Sequence, residues 1–108
     1  MNTSYFAKYR EDKGVSIAIK KPPGCDVVTY AGLCPTPDIL LRYKRTGDVE
    51  RYVMDYHSKV LSLQDPAALY YFLKDNVLLC WEGPDKFCHR RIVAKWFEDS
   101  LGIEVPEL

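Results

Sequence analysis

Val77-Leu78-Leu79-Cys80-Trp81-Glu82-Gly83-Pro84-Asp85-Lys86-Phe87-Cys88-His89-Arg90-Arg91 changes character twice within one short span. Val77 to Trp81 is apolar throughout and too short for a helix, so it reads as a buried central strand. Gly83-Pro84-Asp85 supplies a tight turn. Cys88-His89-Arg90-Arg91 then opens an amphipathic segment in which Ile92, Val93, Trp96, Phe97 and Leu101 recur at helical spacing. Strand, turn and helix in that order bring two thiols, a carboxylate, an imidazole and two guanidiniums together.

Working outward, Asp65-Pro66 is a helix start and predicts a helix over Ala67 to Lys74, ended by Asp75-Asn76. Asp48 caps another, with Val49, Tyr52, Val53, Tyr56 and Val60 on one face. Thr36-Pro37-Asp38 starts a third, carrying Ile39, Leu40 and Tyr43 and ending near Thr46-Gly47. Earlier still, Val15 to Ile19 is a β-branched run with small residues between, which suits a strand covered on both faces. Lys20-Lys21-Pro22-Pro23-Gly24 stops it. From Lys20 to Pro35 there is no helical period; Val27 to Tyr30 reads as a short edge strand. Met1 to Lys13 is polar around Tyr5, Phe6 and Tyr9 and reads as one short turn of helix. Ile103 to Leu108 reads as a tail after the stop at Gly102. Two strands separated by helices imply a parallel pair. A third comes from Val27 to Tyr30 or from part of the N-terminus.

The expected architecture is α/β: one domain over residues 1–108, a small parallel sheet with helical crossovers, and a C-terminal helix. The 108 residues, 47% apolar, suffice for one core. Lys+Arg and Asp+Glu number 15 each, and this balance argues against a nucleic-acid binder, which needs a basic excess. No apolar run approaches the roughly 18 residues of a membrane helix, and the first residues lack a signal peptide's apolar core. A cytoplasmic protein is expected, with Cys25, Cys34, Cys80 and Cys88 reduced.

The string LLCWEGPDKFCHRRIVAKWF resembles the end of a family of small bacterial and phage proteins, the domain of unknown function 488 family. Its members typically close with a buried strand, Cys-x-Glu, a Gly/Pro loop, and Cys-His-Arg at a helix start. The opening TSYFAKYR, the strand VSIAI with its Pro-containing loop, Leu33-Cys34-Pro35, and the Tyr43-Lys44, Thr46-Gly47-Asp48, Tyr52 and Tyr56 positions continue the likeness. Cys34 departs from it, because the family more often has Ala there. The resemblance implies an α/β fold with the signature at one end of the sheet, and a phage or prophage connection. It supplies no activity.

In open parallel sheets ligands bind beyond the carboxyl ends of the strands. That edge should gather Lys20, Lys21, Cys80, Glu82 and the first turn of the last helix, whose N-terminus attracts anions. Lys20, Arg90 and Arg91 are therefore candidate ligand-binding residues for a phosphate- or nucleotide-like anion. Glu82, His89 and Cys88 are the candidate catalytic residues: Cys88 as a thiol activated at a helix start, His89 as a general base oriented by Glu82. Each has a plainer reading. Arg90 or Arg91 can pair with Glu82 inside the fold. His89 can be a packed histidine bonded to a loop carbonyl. Cys80, on an apolar strand, can be inert.

A tyrosine-phosphatase loop is ruled out, since nine residues intervene between Cys80 and Arg90 and one between Cys88 and Arg90. No metal is expected: eight residues separate Cys25 from Cys34 and seven separate Cys80 from Cys88, against the two to four of a zinc knuckle. No cofactor is implied. The tyrosines read as core-edge packing, and His57 as exposed. The leading expectation is a binding or enzymatic module for a small anionic ligand. The competing one is a non-catalytic interaction protein in which the same motif is a folded corner.

Overall fold

The computed structural model describes residues 1–83 and 86–108. Pro84 and Asp85, in the expected turn, lie outside the described residues. Four strands form one parallel sheet in the order β1-β4-β2-β3. They are β1 (Asn2–Tyr5), β2 (Gly14–Ser16), β3 (Val28–Thr29) and β4 (Val77–Cys80). The helices are α1 (Pro37–Thr46), α2 (Val49–Lys59), α3 (Pro66–Leu73) and α4 (His89–Leu101). All three of α1 to α3 lie in the crossover from β3 to β4.

β4 is the centre, as its unbroken apolar run requires. Every one of its residues is buried. Val77 to Cys80 pair with Asn2 to Tyr5 on one side, and Val77 to Leu79 with Gly14 to Ser16 on the other. Ile17 continues β2 by donating its N–H to the Leu79 carbonyl at 3.0 Å. Val28–Thr29 is the edge strand expected in the long loop, and both of its residues are exposed.

The helix starts follow their caps. The Asp48 carboxylate accepts the Arg51 N–H at 3.0 Å, and that of Asp65 accepts the Ala67 N–H at 3.0 Å. Thr36 differs: its hydroxyl donates to Asp38 instead of capping the backbone. Gly47 and Gly102 end α1 and α4 with φ of 68° and 66°, the left-handed turn that glycine adopts without a Cβ penalty. α4 packs on β1 and β4, α3 packs on α4, and α1 pairs with α2. Leu33, Ile39, Tyr56, Leu61, Leu78, Val93, Phe97 and Val105 form the heart of the core.

Two expectations are corrected. The expected turn is confined to residues 5–9, where the Tyr9 N–H donates to the Tyr5 carbonyl at 3.1 Å, and before it Asn2–Tyr5 is a strand. Its central residues, Thr3 and Ser4, are fully buried, so no apolar pattern marks them. The C-terminus is not a loose tail. Thr3 bridges Glu107, Val105 is fully buried, and the Leu108 N–H donates to the Thr3 carbonyl at 2.8 Å. Among the described residues, no helix is long and apolar enough to cross a membrane.

Candidate functional site

A cleft of about 590 Å³ opens beyond the carboxyl ends of β2 and β4, beside the start of α4. Its floor holds Cys80, Cys88 and His89. Cys80 is the last residue of β4, Cys88 the N-cap of α4, and His89 its first residue. One wall comes from α1 and α2: Tyr43, Lys44 and Tyr52. Tyr43, Tyr52 and Phe87 form an aromatic cluster, with ring centroids 4.9 to 5.5 Å apart. Lys20, Trp81 and Glu82 complete the mouth, all three exposed. The Trp81 indole N–H donates to the Lys20 carbonyl at 2.7 Å, which ties the end of β4 to the loop after β2.

His89 is buried under this floor. Its Nε2 lies 2.7 Å from the Ile17 carbonyl. A carbonyl only accepts, so the ring proton is on Nε2 and Nδ1 keeps its lone pair. Nδ1 is 3.9 Å from the Cys88 sulfur. Burial pushes the imidazole down to about 4 and the neighbouring Arg90 adds to the effect, while the Ile17 carbonyl opposes it. His89 is therefore neutral at neutral pH. The ring is held by Ile17, in place of the expected orientation by Glu82.

Arg90 is almost wholly buried, at 1% exposure. Its Nε donates to both Glu107 oxygens, at 3.0 and 3.1 Å, and one terminal nitrogen to Glu107 Oε2 at 2.7 Å. The other reaches the Glu82 carbonyl at 2.6 Å and the Cys80 sulfur at 3.1 Å. The guanidinium also lies over the Tyr5 ring. Arg91 donates to the Thr3 hydroxyl at 2.7 Å and to the Val105 carbonyl at 3.0 Å. Both arginines are thus spent on the fold. Of the three residues expected to hold an anion, only Lys20 lines the cleft.

Glu107 is the partner that sequence reading missed. Burial raises its carboxyl, but the hydrogen bonds from Arg90 and Thr3 and the charges of Arg90 and Arg91 outweigh this and leave it below its ordinary value. A Glu in a terminal hexapeptide carries no local signal of a buried partner.

The four cysteines are not four separate thiols. Cys80 and Cys88 are joined in a disulfide, because the end of β4 and the N-cap of α4 face each other across the corner, which corrects the expectation that both are reduced. Cys25 and Cys34 remain free. Cys34 donates towards the Ala18 carbonyl, and burial raises its thiol. His57 is exposed on α2, as its position off the apolar stripe implies.

Compared with known proteins, the chain matches no family model, no curated protein and no solved structure. The geometry of the cleft is therefore the ground for a functional reading.

Proposed function

We propose that this protein is a binding or enzymatic module for a small organic anion, phosphate- or nucleotide-like, held in the cleft beyond β2 and β4. The observation that carries the reading is the cleft itself: aromatic walls, two lysines at the rim, and a reactive floor. Concave, mostly apolar sites with a few placed polar groups are the usual form of small-molecule pockets, and strand ends of parallel sheets are their usual place. Tyr43, Phe87 and Trp81 offer faces for a planar ring. Lys20 and Lys44 offer the charge for a phosphate or carboxylate. Arg90 acts at one remove, by fixing Cys80 and the Glu82 carbonyl. Glu82 at the mouth and the Nδ1 lone pair of His89 on the floor are the groups that can move a proton, and Cys88 can attack once its disulfide to Cys80 is reduced. On the likeness of its sequence, we place the chain in the domain of unknown function 488 family as part of the same proposal.

The folded-corner reading has one observation in its favour, the internal satisfaction of Arg90. It accounts for Arg90 and Glu107. It gives no reason for an open cleft with Lys20 and Lys44 at its rim.

A thermal-shift series with inorganic phosphate, nucleoside monophosphates and small aromatic carboxylates tests the proposal. A ligand at about 100 times its Kd stabilises by roughly 2.7 kcal/mol. The wild type should shift with at least one of these compounds, and the Lys20→Ala/Lys44→Ala double variant should lose the shift while melting like the wild type without ligand. No shift with any of them, or an equal shift in the double variant, overturns the reading.

A further inference from the structure

We propose that Cys80, Cys88 and His89, once the Cys80–Cys88 disulfide is reduced, form a site for one zinc-like divalent cation on the floor of the cleft. Cys80 Sγ, Cys88 Sγ and a ring nitrogen of His89 all lie within 4.8 Å of one another, and all three residues are buried. Two thiolates and an imidazole are a ligand set that zinc favours, with Zn–S near 2.3 Å and Zn–N near 2.0–2.1 Å. Such bonds set neighbouring ligand atoms roughly 3.5–3.8 Å apart in a tetrahedral site. The 3.9 Å from Cys88 Sγ to His89 Nδ1 is close to that, and reduction of the disulfide frees the two sulfurs to move apart to the same spacing.

Three further observations point the same way. The first is the imidazole. Its Nε2–H is committed to the Ile17 carbonyl at 2.7 Å, which leaves the Nδ1 lone pair on the side of the Cys88 sulfur. Metal-ligating histidines are commonly fixed in this manner, one nitrogen on the ion and the other donating to a backbone carbonyl. The second is the backbone. The Cα atoms of Cys80 and Cys88 are 7.1 Å apart. Disulfides usually span about 4.4–6.8 Å, whereas an ion between the two sulfurs accommodates a wider separation. The third is charge. The cation and two thiolates sum to zero, and Arg90, 3.1 Å from the Cys80 sulfur, is balanced by Glu107. The buried cluster then carries no net charge, which a low-dielectric floor requires.

Knuckle spacing did not indicate this site, because a knuckle takes both thiols from one turn. Here one thiol ends a strand and the other caps the following helix. All three residues line the cleft, so the fourth position faces the cavity, the arrangement of sites with three protein ligands. Binding releases the thiol protons to solvent. Nδ1 is then committed to the ion, and proton transfer in the cleft falls to Glu82. The inference stands on the floor geometry alone and does not depend on an anion in the cleft.

The test is a cobalt titration of the full chain, reduced with a phosphine, stripped with chelator and kept under argon. One equivalent of Co²⁺ should bring up the thiolate-to-cobalt charge-transfer band, and Zn²⁺ should bleach it. Zinc should protect Cys80 and Cys88 from alkylation, read by peptide mass mapping, and leave Cys25 reactive. Cys88→Ser and His89→Gln should weaken cobalt binding at least tenfold, while Cys25→Ser leaves it unchanged. Absence of the band in reduced wild-type protein overturns the proposal, as does protection of Cys25 in place of Cys80 and Cys88. So does a protein that takes up no metal after reduction and returns in air to a Cys80–Cys88 disulfide. Should either ligand variant fail to fold, the wild-type spectrum and alkylation map decide the matter.

Discussion

Replacing Glu107 with Ala should destabilise this protein far more than a residue one place before the last ordinarily would. The Arg90 side chain is 2% exposed and that of Glu107 25%. Glu107→Ala removes every partner of Arg90 Nε and of one terminal nitrogen, leaving only the Glu82 carbonyl and the Cys80 sulfur on the other. Removing one partner of a buried ion pair costs about 3–5 kcal/mol. Water reaches the vacated place from the exposed side of Glu107, so the lower end applies, about 3 kcal/mol. Against a total stability of roughly 5–15 kcal/mol this is a large fraction. At about 4–8 °C per kcal/mol for a domain near this size, Tm should fall by roughly 12–24 °C. Glu107→Gln keeps the volume and one acceptor and should lose about half as much.

The same pair sets an acid limb. The folded carboxyl titrates below its ordinary 4.5, so the unfolded chain binds more protons as pH falls. Its stabilisation is complete above about 4.5 and is lost as pH drops through the lower folded value. Glu107→Gln should flatten that part of the curve. Urea unfolding, with midpoint and slope taken at pH 7 and again at pH 4, measures both effects. A Glu107→Ala protein within about 0.5 kcal/mol of the wild type would refute the reasoning, since surface substitutions cost no more than that.

Other substitutions test other parts. Tyr56→Phe removes the hydroxyl that donates to the Leu33 carbonyl at 2.5 Å; the orphaned buried acceptor should cost about 1–3 kcal/mol in urea unfolding. Asp48→Ala should cost about 1 kcal/mol through its lost cap, with no change at the cleft by NMR. Gly102→Ala forces a side chain into a φ of 66° and should cost about 1–2 kcal/mol. Lys20→Ala, on an exposed rim, should change stability by less than about 0.5 kcal/mol and so serve as a clean binding probe, unlike any change at Arg90.

How far these features were legible differs by residue. β4 announced itself by an unbroken apolar run, and α2 and α3 by Asp48 and Asp65. β1 did not, because Thr3 and Ser4 are buried as polar residues and Thr3 is satisfied by Glu107 at 2.5 Å, more than a hundred positions away. That is a tertiary fact with no local pattern. The floor of the site was visible as one crowded stretch, since Cys80, Cys88 and His89 are near in sequence as well as in space. Its walls were not. Tyr43, Lys44 and Tyr52 arrive from a separate helical pair, and their spacing shows only a helical face, not what that face encloses. The partner of Arg90 was not legible for a related reason: an arginine at a helix start looks the same whether it meets a ligand or a distant glutamate.

The central claim is that the cleft beyond β2 and β4 takes a small organic anion. The most direct measurement is an amide and indole chemical-shift titration of the isotopically labelled chain with a nucleoside monophosphate. The account predicts saturable shifts confined to the Trp81 indole, Lys20, Lys44 and Phe87 to His89, reduced by Lys20→Ala. Absence of shifts at the highest soluble concentration, or shifts centred on the exposed Tyr71 and Phe72 of α3, would contradict it.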